Sequence, residues 1–134
     1  MTAEPERPPQ LDQALVNEFV SKAHGDLDEV KRLLAEEPAL VKASWDWGGG
    51  DFETGLGAAA HMGNREIALY LLENGASLDL FAAAMLGYVD VVREMLAAHP
   101  ELRTAKGAHG IPLLVHAQLG GEQAREVVQL LEAS

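Results

Sequence analysis

Thr54-Gly55-Leu56-Gly57-Ala58-Ala59-Ala60-His61-Met62-Gly63-Asn64 runs directly into Arg65-Glu66-Ile67-Ala68-Leu69-Tyr70-Leu71-Leu72-Glu73-Asn74-Gly75-Ala76. A short alanine-rich helix reaches a glycine, and a second, amphipathic helix follows. Alanine lets the first helix sit close to its neighbours, and Gly63 gives the backbone freedom that a tight helix-to-helix turn needs. Ile67, Leu71 and Leu72 share one stripe at helical spacing, so the second helix buries one face. The pattern predicts helices near 55–62 and 65–74.

The plan recurs on both sides. Gly25-Asp26-Leu27-Asp28-Glu29-Val30 matches Gly87-Tyr88-Val89-Asp90-Val91-Val92, and Pro38 matches Pro100, both at an offset of 62 positions. One offset shared by separate segments marks an internal duplication. A fourth unit begins at Ile111-Pro112-Leu113-Leu114-Val115-His116-Ala117-Gln118-Leu119-Gly120 and ends with Val127-Val128-Gln129-Leu130-Leu131. Gly25, Gly63, Gly87 and Gly120 mark the turns, and Pro38, Gly75 and Pro100 stop the second helices. Further helices are expected near 11–23, 27–36, 79–86, 89–98, 112–119 and 122–132. Strand signals are weak everywhere, so the expected class is all-α. One such pair cannot cover its apolar face alone, whereas stacked pairs share a continuous core. The organisation expected is a disordered Pro-rich tail at 1–10 and a single domain at 11–134, with repeats at about 11–44, 54–78, 79–108 and 111–134.

Thr54, Leu56, Ala59, Ala60, Gly63, Glu66, Ile67, Leu71, Leu72, Gly75 and Ala76 resemble the ankyrin repeat, and Pro112-Leu113 fills its Pro-Leu slot in the fourth unit. The resemblance covers about residues 11–134 and extends to small bacterial ankyrin proteins of unassigned role that carry a Trp-Asp-Trp-Gly finger. It implies an ankyrin-repeat solenoid of about four helix-turn-helix repeats with irregular fingers. It also implies partner binding through finger tips and the concave face of the first helices. There are departures. Gly57, Phe81 and Leu114 stand where the family has a histidine. Gly63 to Gly87 spans 24 residues against a period of about 33. The finger there is expected to be missing or reduced to a turn at Ser77-Leu78-Asp79, while the first is lengthened and another lies at Arg103 to Gly110.

Composition narrows the function. The chain has 134 residues, 48% of them hydrophobic, and no cysteine. That excludes disulfides, a thiol nucleophile and thiolate metal sites. Net charge is −11 and the ten basic residues are scattered, which opposes binding to nucleic acid or to an anionic membrane. No apolar run approaches the ~20 residues of a membrane span. Met1 to Gln10 has neither a basic nor an apolar signal region, so a cytoplasmic protein is expected.

Candidate contact positions follow from the resemblance. The pairs before the turn glycines are Ala23-His24, His61-Met62, Met85-Leu86 and Gln118-Leu119. Met85 and Leu86 read either as a sticky patch or as packing under the missing finger. Trp45-Asp46-Trp47-Gly48-Gly49-Gly50-Asp51-Phe52-Glu53 holds both tryptophans beside three glycines. Tryptophan is favoured at binding hot spots, although at least one of the two is expected to be largely buried. His61, His109 and His116 can approach Asp51 or Glu53, a chemistry suited to zinc or proton transfer. No His-Glu-x-x-His or phosphate-loop spacing accompanies them, and His116 suits a buried hydrogen bond. The sequence therefore predicts no catalytic set, no metal and no cofactor. It predicts a non-enzymatic protein-protein interaction module for a protein partner of unknown identity, with self-association possible. The partner-binding residues would be Trp45, Trp47, Asp51, Phe52, Glu53, His61, Met62, Met85, Leu86, Tyr88, His109 and Gln118. The alternative is a small-molecule or metal site between the first and third fingers.

Overall fold

The computed structural model describes residues 6–133. The fold is mostly helical, at 66%, with eight α-helices among the described residues and one two-stranded hairpin. Residues 6–10 are exposed and lack regular structure, and the rest of the expected tail, 1–5, lies outside the described residues. No described helix is long and apolar enough to cross a membrane.

The helices form two kinds of element. Helices α1 (Gln13–Lys22), α3 (Gly55–His61), α5 (Leu80–Leu86) and α7 (Leu113–Leu119) lie in a row, each against the next. Helices α2 (Leu27–Glu36), α4 (Arg65–Glu73), α6 (Val89–Ala98) and α8 (Arg125–Glu132) each pack back on the partner before them. Local sequence sets the starts. Asp26, Thr54, Asn64 and Asp79 each accept the backbone N–H three residues on, at 2.8–3.2 Å. Each such cap contributes about 1 kcal/mol.

Small residues let the row close up. Ala58, Ala59, Ala60, Ala82, Ala83, Ala84 and Ala117 are fully buried. A Cβ on Gly120 would lie 2.1 Å from the Met85 carbonyl oxygen, and one on Gly87 2.0 Å from that of Gln123. The core has two parts. One gathers Phe19, Leu33, Leu56, Ile67 and Leu71, the other Val92, Leu96, Leu113 and Val127.

Two expectations change here. The class is not purely helical, because β1 (Ser44–Asp46) pairs antiparallel with β2 (Phe52–Thr54), Trp45 facing Glu53. Gly48, Gly49 and Gly50 all take positive φ, and the Asp46 carboxylate accepts from the N–H groups of Gly48 and Gly50. Three consecutive residues in that region need glycine, so the glycine run is the hairpin turn. Met85 and Leu86, expected as partner anchors, are 1% and 2% exposed. With α3 on one side and α7 on the other, α5 is covered along nearly its whole surface.

The four turn glycines are not equivalent. Gly87 has φ +83° and no room for a Cβ, whereas Gly25 has no positive φ and nothing within 4 Å. Gly87→Ala should therefore cost about 2 kcal/mol or more, and Gly25→Ala should be neutral or stabilise by up to about 1 kcal/mol. Urea unfolding of both variants checks this, and equal effects would refute it.

Candidate metal centre

Four side chains from four separate elements meet beside the hairpin. His24 follows α1, Glu53 lies on β2, His61 ends α3, and His109 sits in the loop before α7. Each offers one ligand atom, and these atoms all lie within 4.8 Å of one another. The Glu53 carboxylate is at the centre: His24 Nε2 is 3.3 Å away, His61 Nε2 2.9 Å and His109 Nε2 3.3 Å. Its side chain has no solvent contact, and its fourth neighbour is Trp47, whose Nε1–H donates to Oε1 at 2.9 Å.

The hydrogen bonds behind the rings fix what the front atoms carry. His24 Nδ1 faces the carbonyl oxygens of Val20 and Ser21 at 2.9 and 3.1 Å. His109 Nδ1 faces Asp51 Oδ2 at 2.8 Å. Carbonyl and carboxylate oxygens only accept, so both Nδ1 atoms carry the proton. A neutral imidazole then presents a bare lone pair at Nε2. Lone pairs from His24 and His109 thus aim at carboxylate oxygens, an arrangement that needs either extra protons or one shared cation. His61 adds to this. Its Nε2 and Glu53 Oε2 are buried and 2.9 Å apart, and neither has a hydrogen-bond partner among the described residues.

Asp51 builds the far side of the site. It accepts the His109 backbone N–H and Nδ1–H at 2.8 Å each, binding two loops 58 residues apart. His109 is the one non-glycine among the described residues with positive φ, at +60°. Such a conformation costs about 1 kcal/mol or more and persists where surroundings hold it. The backbone N–H of His109, chiefly, keeps the Asp51 carboxyl below its ordinary pKa. Burial opposes charge on Glu53, but the facing His61, His24 and Trp47 outweigh it, so Glu53 is also held low. Burial likewise disfavours a charged His109, yet Asp51 and Glu53 outweigh it and raise that imidazole.

The other expected site residues divide. Trp47 is 39% exposed and frames the cluster, its ring 6.0 Å from that of His109 and 6.3 Å from that of His24. Phe52 (61% exposed), Met62 (52%) and Gln118 are on the surface. Trp45 and Tyr88 are partly buried against the core, so neither tryptophan is fully enclosed. His116 does not join the cluster. It is buried as expected, with Nδ1 3.0 Å from the Pro112 carbonyl, and burial lowers its pKa. His24 was missing from the expected site. Its signal was its place: like His61, it stands just before a turn glycine, on the neighbouring helix of the row.

The shifts carry a pH sign. A raised His109 pKa contributes stability that is complete below about pH 6.5 and lost as pH rises through the folded value. The depressed Asp51 and Glu53 contribute above their unfolded values and lose it as pH falls through the folded ones. In EDTA-treated protein, His109→Asn, which tolerates the left-handed backbone, should lower Tm more at about pH 6 than at about pH 8.5. Thermal unfolding at the two pH values checks this, and an equal loss at both would contradict it. No protein-family model matches this chain, and no curated protein matches it.

Proposed function

We propose that the chain is an ankyrin-type repeat solenoid carrying a structural zinc-class metal ion on His24, His61, His109 and Glu53. The observation that carries the proposal is the convergence of imidazole Nε2 atoms, with the Nδ1 protons of His24 and His109 fixed by acceptors behind them. Ligating histidines typically donate their second nitrogen to a carbonyl or carboxylate in this way. The spacing supports it as well. Zn–N bonds of about 2.0–2.1 Å in a tetrahedron put neighbouring ligand atoms about 3.3 Å apart, and the Glu53 oxygens lie 2.9–3.3 Å from the three nitrogens. Four protein ligands make a closed site, the structural rather than the catalytic form. The ion would clip the hairpin and the 105–112 loop onto α1 and α3. That function is non-enzymatic and fits the metal alternative raised by the sequence. The ankyrin reading is supported by the ordered row of first helices with second helices packed behind them.

A second reading, a docking face for a protein partner, is favoured by the exposure of Trp47, Phe52 and Met62. These are large apolar groups of the kind that anchor partners. Met85 and Leu86 take no part in it.

Calorimetry of EDTA-treated protein with zinc at about pH 7.5 should give one ion per chain, and much weaker binding at about pH 5.5, where protons compete with the metal for its ligand atoms. Zinc at about a hundred times its dissociation constant should stabilise the fold by about 2.7 kcal/mol. His61→Ala and Glu53→Gln should abolish both effects. Absence of saturable zinc binding by folded protein at the higher pH would overturn the proposal. For the docking reading, Phe52→Ala, at a 61% exposed position, should weaken capture of a partner without lowering Tm.

A further inference from the structure

Beside β2 lies a cavity of about 370 Å³, with Asp51 and Glu53 among its lining residues. It is bounded by the hairpin, the start of α5 and the loop at Lys106–Ala108. The volume suits a small metabolite. Its lining has three chemically distinct parts.

The first is an unused acceptor in a buried ring. His116 is 2% exposed and lines the cavity. Its Nδ1 proton goes to the Pro112 carbonyl, which leaves Nε2 as a bare acceptor, with no protein donor among the described residues. Asp79 also lines the cavity; its Oδ1 caps α5 through Ala82 N–H, and its Oδ2 has no donor among the described residues. The second part is a single cation. Lys106 lines the cavity and forms no ion pair among the described residues. The third is apolar: the Phe81 ring packs against His116 with centroids 4.9 Å apart.

These parts select a ligand. Two acceptors, His116 Nε2 and Asp79 Oδ2, call for a group rich in N–H donors and positively charged. Lys106 calls for an anionic group. A plain anion would meet the Asp79 carboxylate, and a plain amine would leave Lys106 unanswered. We infer that the cavity binds a small zwitterion of the amino-acid class, its ammonium toward His116 Nε2 and Asp79 and its carboxylate toward Lys106. The inference goes beyond the metal reading and does not rest on it.

Binding is measured by ¹⁵N–¹H NMR titration of the protein with the common L-amino acids. The deciding comparison is L-leucine, 3-methylbutylamine and 4-methylpentanoate, which share the isobutyl side chain and differ in carrying both charged groups, the ammonium alone or the carboxylate alone. At least one amino acid is expected to shift the amides of Gly57 and Gly107, which line the cavity. The matched amine and acid should each bind about tenfold or more weakly, and Lys106→Met, at an exposed position, should cost about tenfold in affinity. The same binding should persist after EDTA treatment. No shift from any amino acid overturns the inference, as does an amine binding as tightly as its amino acid or a Lys106→Met variant binding normally. Binding that vanishes with EDTA also overturns it, because the amino acid is then chelating the metal.

Discussion

A carboxylate shut off from water, with imidazole nitrogens around it, is the constraint on which the finger side of this molecule depends. An isolated buried carboxylate is costly, and its cost falls only through opposite charge or hydrogen bonds. Glu53 meets that demand with groups drawn from α1, α3, the 105–112 loop and its own hairpin. The charge therefore organises the elements. If Glu53 were released, the hairpin would lose its inward anchor and His109 one of the two acids that face it.

Asp51 carries the same logic one step out. Its two contacts hold His109 in a backbone region that a residue with a side chain seldom takes. Strain retained at one residue, on a side chain aimed at a charged cluster, is the usual mark of a site built for binding. A divalent ion on the four groups, as proposed, would replace the protons that the cluster otherwise needs.

The helical row supplies the rigid base. Its alanines and the glycines at positions 87 and 120 permit backbone approach that a larger side chain would block. Between α1 and α3 the close approach is at Gly55, where a Cβ would lie 2.6 Å from the Phe19 ring, and His24 and His61 at the ends of these helices come within ring contact, 4.9 Å between centroids. The cavity and the cluster have Glu53 in common.

Periodicity and punctuation were enough to read the eight helices, most of them to within two residues, because caps, turn glycines and apolar stripes act over a few residues. The last helix starts later than its pattern suggests, since Gly121–Ala124 forms a tighter 3-10 turn first. The hairpin was less legible. Its strands have three residues each, too few for an alternation to show, and glycine runs signal freedom without saying which turn will use it. The burial of Met85 and Leu86 was left open because it depends on neighbours far along the chain. Histidines and acids could be named as candidates, but not their company. His24, Glu53, His61 and His109 span 85 residues (109 − 24), and no local spacing encodes a meeting that depends on four separately positioned elements. Local chemistry set what each segment would become, and only the packing of helix against helix decided which side chains would face one point.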